Sequence, residues 1–192
     1  AVPPEISQVS DQQAFEYLTL LFLLREKNLR VISVWHPSFL SLLLKNIGKC
    51  FSSIVRDIEA GTIGGEITVH ADVRRLLASR LAPNPSRARA LRAMDLSRRD
   101  FPTRIWPHLR LISCWAEGRS EPWLGELAAA FPAAIIQGKG LTSTEGIVSF
   151  LIGRQGRKAC ALRSHFFEFI DPEGGSVKPA WEVQEGKTYA VV

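Results

Sequence analysis

Three hydroxyls and a carboxylate follow one another in Leu141-Thr142-Ser143-Thr144-Glu145-Gly146. Hydroxyls hydrogen-bond phosphate oxygens, and a carboxylate is a hard oxygen ligand of the kind magnesium takes. The chemistry this grouping could serve is the binding of a phosphate together with a divalent cation. Apolar runs lie on both sides, Ala133-Ala134-Ile135-Ile136 before and Ile147-Val148-Ser149-Phe150-Leu151-Ile152 after, and each reads as a buried strand. Two familiar phosphate-binding patterns do not fit. In Gly138-Lys139-Gly140-Leu141-Thr142-Ser143 the lysine precedes the second glycine and a β-like run follows, whereas a phosphate loop places Lys and Ser/Thr after both glycines and opens a helix. A dinucleotide fingerprint lacks its third glycine. On the residues alone, the stretch reads as a hydroxyl-rich turn with Glu145 exposed.

Other chemistry-bearing residues are scattered. His36 follows Trp35 at the junction of a strand and a helix, where open α/β sheets place ligand-contacting groups; a helix cap fits the same position. His165, beside Phe166 and Phe167, reads as a structural strand histidine, and His70 and His108 have no partner pattern. There is no Ser-His-Asp order, nucleophile elbow or zinc spacing. Trp106, Trp115 and Trp123 read as core or interface residues. Cys50, Cys114 and Cys160 are odd in number and lack metal-ligand spacing, which predicts reduced thiols in a cytoplasmic protein.

The elements that must position these residues can be read from pattern. Ser10 followed by Gln13 resembles a capping box. The helix behind it carries Phe15, Leu18, Phe22 and Leu23 and ends near Lys27-Asn28. Leu29–Val34 is a strand. Pro37 opens a helix running to about Ala60, with Phe39, Leu42, Leu43, Ile47, Phe51, Ile54 and Ile58 along it, and Gly61, Gly64 and Gly65 mark a loop. A helical block over about Ala71–Asp95 breaks at Pro83-Asn84-Pro85. Pro102 and Pro107 bracket a connector containing Trp106. A strand over Leu109–Cys114, a helix over about Glu121–Ala130, strands at 133–137 and 147–152, a strand over Ser164–Ile170 and a turn at Asp171–Gly175 complete the order. The expected class is α/β: a mostly parallel sheet flanked by helices, with antiparallel strands toward the C-terminal end.

At 192 residues the chain fits a single domain or subdomain with a real core. Its net charge of +5 owes much to residues 87–104, where Arg87, Arg89, Arg92, Arg98, Arg99 and Arg104 face Asp95 and Asp100. Phe101 is the single aromatic residue there, no series of interleaved stacking residues is formed and no nucleic-acid-reading motif matches, so the stretch reads as a solvated helical face. The apolar run from Tyr17 to Leu24 is too short to span a bilayer, and Pro3-Pro4-Glu5 lacks the character of a secretory leader. The chain starts at Ala1 and stops at Val192 inside an apparent strand, so a fragment of a longer protein is expected.

Several segments together resemble one family. Leu29 to Leu44 (LRVISVWHPSFLSLLL), Trp106-Pro107 with the strand after it, Gln137 to Phe150 (QGKGLTSTEGIVSF), Ser164 to Ile170 (SHFFEFI) and Trp181 to Val192 (WEVQEGKTYAVV) recur in order. They resemble the bacterial branch of the auxin-responsive acyl-acid amido synthetases, whose plant members conjugate jasmonate, indole-acetate or benzoates to amino acids. The resemblance implies the large domain of an adenylate-forming enzyme. It also implies ATP and Mg2+ as cofactors, with a small carboxylic acid and an amino acid as substrates; no membrane partner is expected, and a nucleic acid is the less favoured partner. The acid attacks the α-phosphate of ATP and pyrophosphate leaves; an amine then attacks the activated acyl carbon and AMP leaves.

By this resemblance Leu141-Thr142-Ser143-Thr144-Glu145 is the family's Tyr-x-Ser-Ser-Glu loop. Ser143 and Thr144 then lie toward the phosphates or adenosine, Glu145 is the magnesium ligand, and the backbone of Gly140–Thr142 flanks the adenine. Leu141 departs from the family's Tyr, replacing an aromatic stack by an aliphatic contact. Phe166 and Phe167 match a Tyr-Phe-Glu-Phe strand and are expected in the core. Trp35, His36, Gly146 and Ile147 are the expected acyl-substrate residues. The family's phosphate loop is expected upstream of residue 1. Its Arg-x-Gly-Asp segment and its closing C-terminal domain are expected beyond Val192, so the chain alone is expected to be inactive. Two alternatives stay open: a homologue that binds without catalysis, and a basic nucleic-acid-binding domain using residues 87–104.

Overall fold

The computed structural model describes residues 1–64, 67–153 and 157–192. Gly65, expected in the loop after the long helix, lies outside the described residues. The chain divides into two compact units, Ala1–Gln137 and Gly138–Val192.

The first unit is built on two dissimilar helices. A 3-10 turn over Pro4–Gln8 precedes α1, Gln12–Arg25. The cap of α1 is Asp11 and not Ser10: its Oδ1 accepts from the Ala14 amide at 2.7 Å. A carboxylate there also complements the positive helix end. Every residue from Tyr17 to Leu24 is buried, so the last two turns of α1 have no polar face and lie in the core of the unit. β1, Val31–Ser33, follows, and then α2 spans Pro37–Ala60, ending at Gly61 with φ 70.

Helix α2 is amphipathic. Leu40, Leu43, Ile47, Ile54 and Ile58 form its buried stripe and pack toward α1 and α4. Leu42, expected in that stripe, is exposed, because at 100° per residue it lies off the line that Leu40 and Leu43 define. By length and composition alone α2 could cross a bilayer; its apolar stripe instead faces the core. The helical block after it is two short helices, α3 (Ala71–Ala78) and α4 (Pro85–Arg92), capped by His70 and Asn84. The expected connector contains a one-turn helix, α5, Phe101–Ile105. β2 is Leu111–Cys114, then a 3-10 turn over Gly118–Trp123 runs into α6, Leu124–Ala130.

β1 and β2 are parallel, with Ile32 opposite Ile112, and β3 (Ile135–Gly138) lies beside β2 in the order β1-β2-β3. Ile32 and Ile112 are buried among the helices' leucines and isoleucines, and Trp106 completes this core with its indole N–H donating to the Leu23 carbonyl at 2.9 Å. The expectation of a helix-flanked parallel sheet holds for this unit.

The second unit is antiparallel. β4 (Ser149–Ile152) pairs with β5 (Arg157–Cys160), and β6 (Glu168–Ile170) lies between β7 (Val177–Pro179) and β8 (Ala190–Val191). The strands flanking the hydroxyl stretch are not buried as expected. Ile135, Phe150 and Ile152 are exposed, and along β3 and β4 exposed and half-buried residues alternate. A period of two with one open face replaces the fully covered run that composition suggested.

Candidate functional site

The hydroxyl–carboxylate stretch is the tip of a tight hairpin. The Leu141 carbonyl accepts from the amides of Val148 and Ser149, each at 3.0 Å, and the Leu141 amide donates to the Ser149 hydroxyl at 2.9 Å. Thr142 and Ile147 form an antiparallel bridge, and the Ser143 amide donates to the Gly146 carbonyl at 2.9 Å. The Ser143 Oγ also lies 3.3 Å from both the amide and the carbonyl of Gly146. Thr144 and Glu145 are left as the two outermost residues, both exposed. Gly140 enters this stem with φ 76, and a Cβ there would run into the Ser149 carbonyl, so handedness and space both demand glycine.

Glu145 is held below the usual carboxylate range, first by the Thr144 hydroxyl, then by its own backbone amide and the Ser143 hydroxyl. It is therefore charged throughout the neutral range. Two of the three hydroxyls found by spacing stabilise this anion; Thr142 belongs to the bridge instead. Among the described residues no group of three or more His, Cys, Asp or Glu comes together. A single exposed carboxylate is not a metal cage. It does suit magnesium, which keeps several waters and is bound by one or two carboxylates plus substrate phosphates.

A second segment meets the hairpin. The Ala161 amide donates to the Val148 carbonyl at 2.8 Å, and the Ser164 hydroxyl lies 3.2 Å from the Ile147 carbonyl. The strand expected over Ser164–Ile170 starts only at Glu168, and Ser164 and His165 belong to a turn. The exposed His165 imidazole stands edge-on to Phe167, with centroids 6.2 Å apart, and its Nε2 edge lies against Gly146. Of the two phenylalanines expected in the core, Phe167 is buried and Phe166 is 73% exposed.

In the first unit Trp35 and His36 lie just past β1, and Trp115 lies just past β2. His36 is the cap of α2: Nδ1 accepts from the Ser38 amide at 3.2 Å and lies 2.7 Å from the Ser38 hydroxyl. Its ring is edge-on to Trp115 and Trp123, at 6.5 and 6.4 Å, and Trp35 leans on Trp115 at 5.7 Å. Lys45 lies over Trp123 while paired with Glu126 at 2.9 Å. This half-open aromatic cluster sits at the carboxyl ends of parallel strands, the usual ligand position of an open α/β sheet. Trp35 and His36 thus belong to the first unit, Gly146 and Ile147 to the second. Trp115 and Trp123 were not expected in a site. Each is about 80 residues or more from Trp35, and no local spacing could have joined them.

The basic stretch is not an open face throughout. Arg87 is 5% exposed, with Nε donating to the Leu24 carbonyl at 2.7 Å and Nη2 to the Ile105 carbonyl at 2.9 Å. Arg92 pairs with Glu59, and Arg98 and Arg104 both pair with Asp100. Four of its six arginines are therefore engaged within the chain, which weakens the electrostatic footprint that phosphate-backbone binding needs.

A family model described as "GH3 family N-terminal domain" matches residues 1–135. No curated protein matches the chain. A solved structure described as "GH3.15 acyl acid amido synthetase" superposes with a TM-score of 0.84 at 20% identity, over 99% of this chain and 36% of that one. Another, "AtGH3.15 acyl acid amido synthetase in complex with 2,4-DB", gives a TM-score of 0.81 at 19% identity, over 95% and 33%. The chain spans about a third of the length of these structures. The family match ends before the Glu145 hairpin, whereas the first structural match extends over nearly the whole chain.

Proposed function

The chain belongs to the GH3 family, and from that premise we propose that it is the central part of the large domain of a cytoplasmic acyl-acid amido synthetase. In this reading a small carboxylic acid is activated on ATP with release of pyrophosphate, and the acyl group passes to the amine of an amino acid. The matched structures are acyl acid amido synthetases, one of them in complex with 2,4-DB, and this supports a ligase that takes a small acid. The rest of such an enzyme would come from polypeptide outside residues 1–192, so the chain by itself is not the catalyst.

The observation that carries the reading is the hairpin tip. Glu145 is exposed, charged and placed at the apex with hydroxyls directly beside it. When bound there, magnesium would neutralise charge on the phosphates. Glu145 would hold the ion, while Ser143 and Thr144 would turn their hydroxyls toward phosphate or adenosine oxygens. The backbone of Gly140, Leu141 and Thr142 would lie along the adenine, with the exposed Leu141 side chain in place of a stacking ring. For the acid, Trp35 and His36 are the proposed contacts in the first unit, joined by Trp115 and Trp123, whose rings meet His36. Gly146 and Ile147 are the proposed acyl contacts carried by the second unit.

The test is acid-dependent ATP–pyrophosphate exchange by the protein that carries this chain. Glu145→Ala should lower exchange by about 100-fold or more, with the circular dichroism spectrum unchanged. Normal exchange in that variant would remove the magnesium role. ATP binding without exchange by the unsubstituted protein would instead favour a homologue that binds without catalysis.

A further inference from the structure

Gly146 and His165 are 19 positions apart, yet the imidazole occupies the space where a side chain at 146 would stand. A Cβ added to Gly146 would collide with Nε2 and lie 2.5 Å from Cδ2. The same ring is set edge-on against the buried Phe167, with centroids 6.2 Å apart. The turn that carries His165 is tied to the same hairpin by the Ser164 hydroxyl, 3.2 Å from the Ile147 carbonyl, and is closed on itself by that hydroxyl's 2.7 Å contact with the Ala161 carbonyl. The Ala161 amide adds a second tie, to the Val148 carbonyl. A flat ring, exposed on its remaining side, thus touches both a buried aromatic residue and the backbone adjoining Glu145.

We propose that His165 is a positioning residue for the Glu145 hairpin, setting the angle at which the carboxylate meets a magnesium–nucleotide complex. The inference rests on the nucleotide reading of the hairpin given above. Its physical basis is the small number of restraints on the tip. Thr144 and Glu145 are exposed, and the backbone closure of the turn is the single Ser143–Gly146 bond together with the Ser143 hydroxyl. Without the imidazole, the Gly146 side of the tip loses the surface it leans on. The tip would then sample more orientations, and ordering them would oppose nucleotide binding.

The experiment is a calorimetric titration of the full protein with Mg–ATP, alongside exchange kinetics. His165→Ala should raise the Mg–ATP dissociation constant by about 10-fold or more, since small misplacements of a positioned group cost on that scale. The KM for ATP should rise with it, and more than kcat falls. His165→Phe, which keeps a flat ring beside Gly146, should restore most of the affinity. Gly146→Ala should displace the imidazole and produce a similar loss. The double variant Gly146→Ala/His165→Ala should be no worse than either single one, because the methyl then enters vacated space. Unchanged thermal unfolding in His165→Ala would separate positioning from folding. Wild-type Mg–ATP affinity in His165→Ala, or strictly additive losses in the double variant, would overturn the inference alone. No Mg–ATP binding by the unsubstituted protein would overturn the nucleotide reading and this inference with it.

Discussion

The two units of this chain solve the problem of stability in opposite ways. Residues 1–137 have the fully buried run Tyr17–Leu24 of α1 and a stripe of α2 that together with β1 and β2 makes a continuous apolar core. Residues 138–192 have short strands and few buried side chains, Ala161 and Phe167 among them, and they leave Leu141, Ile147, Phe150, Ile152 and Phe166 exposed. The hydroxyl–carboxylate hairpin sits in the second kind of architecture. Order there depends on individual ties such as the Ser164 hydroxyl and the His165 ring, not on bulk burial. A single substitution should therefore act globally on stability in the first unit and locally on geometry in the second.

The widest separation should come from matched truncations. Ile54→Ala, in the fully buried stripe of α2, should lower unfolding stability by about 2–5 kcal/mol in denaturant titration. Ile152→Ala, on an exposed face of β4, should change it by less than about 0.5 kcal/mol. Comparable losses at the two positions would break the contrast between the units. Next in size is Arg87→Ala. It removes the donors to the Leu24 and Ile105 carbonyls and should cost about 2–3 kcal/mol. Arg89→Ala, on the exposed side of the same helix, should be nearly neutral. If the two arginines behaved alike in thermal melts, the reading of Arg87 as a core residue would fail.

The smallest effect concerns acid stability. Arg98 and Arg104 hold the Asp100 carboxyl down to about 2, against an ordinary 3.8. A depressed carboxylate stabilises the fold above its unfolded pKa, and that contribution fades as pH falls through the folded value. The gap in denaturation midpoint between the native chain and Asp100→Asn should accordingly be constant above about pH 5 and shrink toward zero near pH 2. Because Asp100 is exposed the gap should be small and should weaken with added salt. A gap that widened on acidification would contradict the pairing.

The features legible in the sequence were the local ones. Pro37 and Gly61 bounded α2 correctly because a first-turn proline and a left-handed glycine act on neighbouring backbone. The hydroxyls and Glu145 were found by order alone, and the hairpin keeps them together. Where reading failed, a distant partner decided the outcome. Leu42 is exposed and its neighbour Leu40 buried because the core lies on one side of α2. Ser164–Phe167 failed to form a strand because their turn is bonded to Ile147 and Val148.

Residue order by itself determined the helix-flanked parallel sheet, the boundaries of its longest helix and the presence of a carboxylate beside hydroxyls between two β-like runs. These depend on periodicities and caps that act over about four residues. Only the tertiary structure decided that Arg87 is a buried donor, that His36 meets Trp115 and Trp123, and that His165 stands against Gly146. Each of those contacts joins segments 18 to 87 residues apart. Their formation depends on how the elements pack, and no spacing along the chain encodes it.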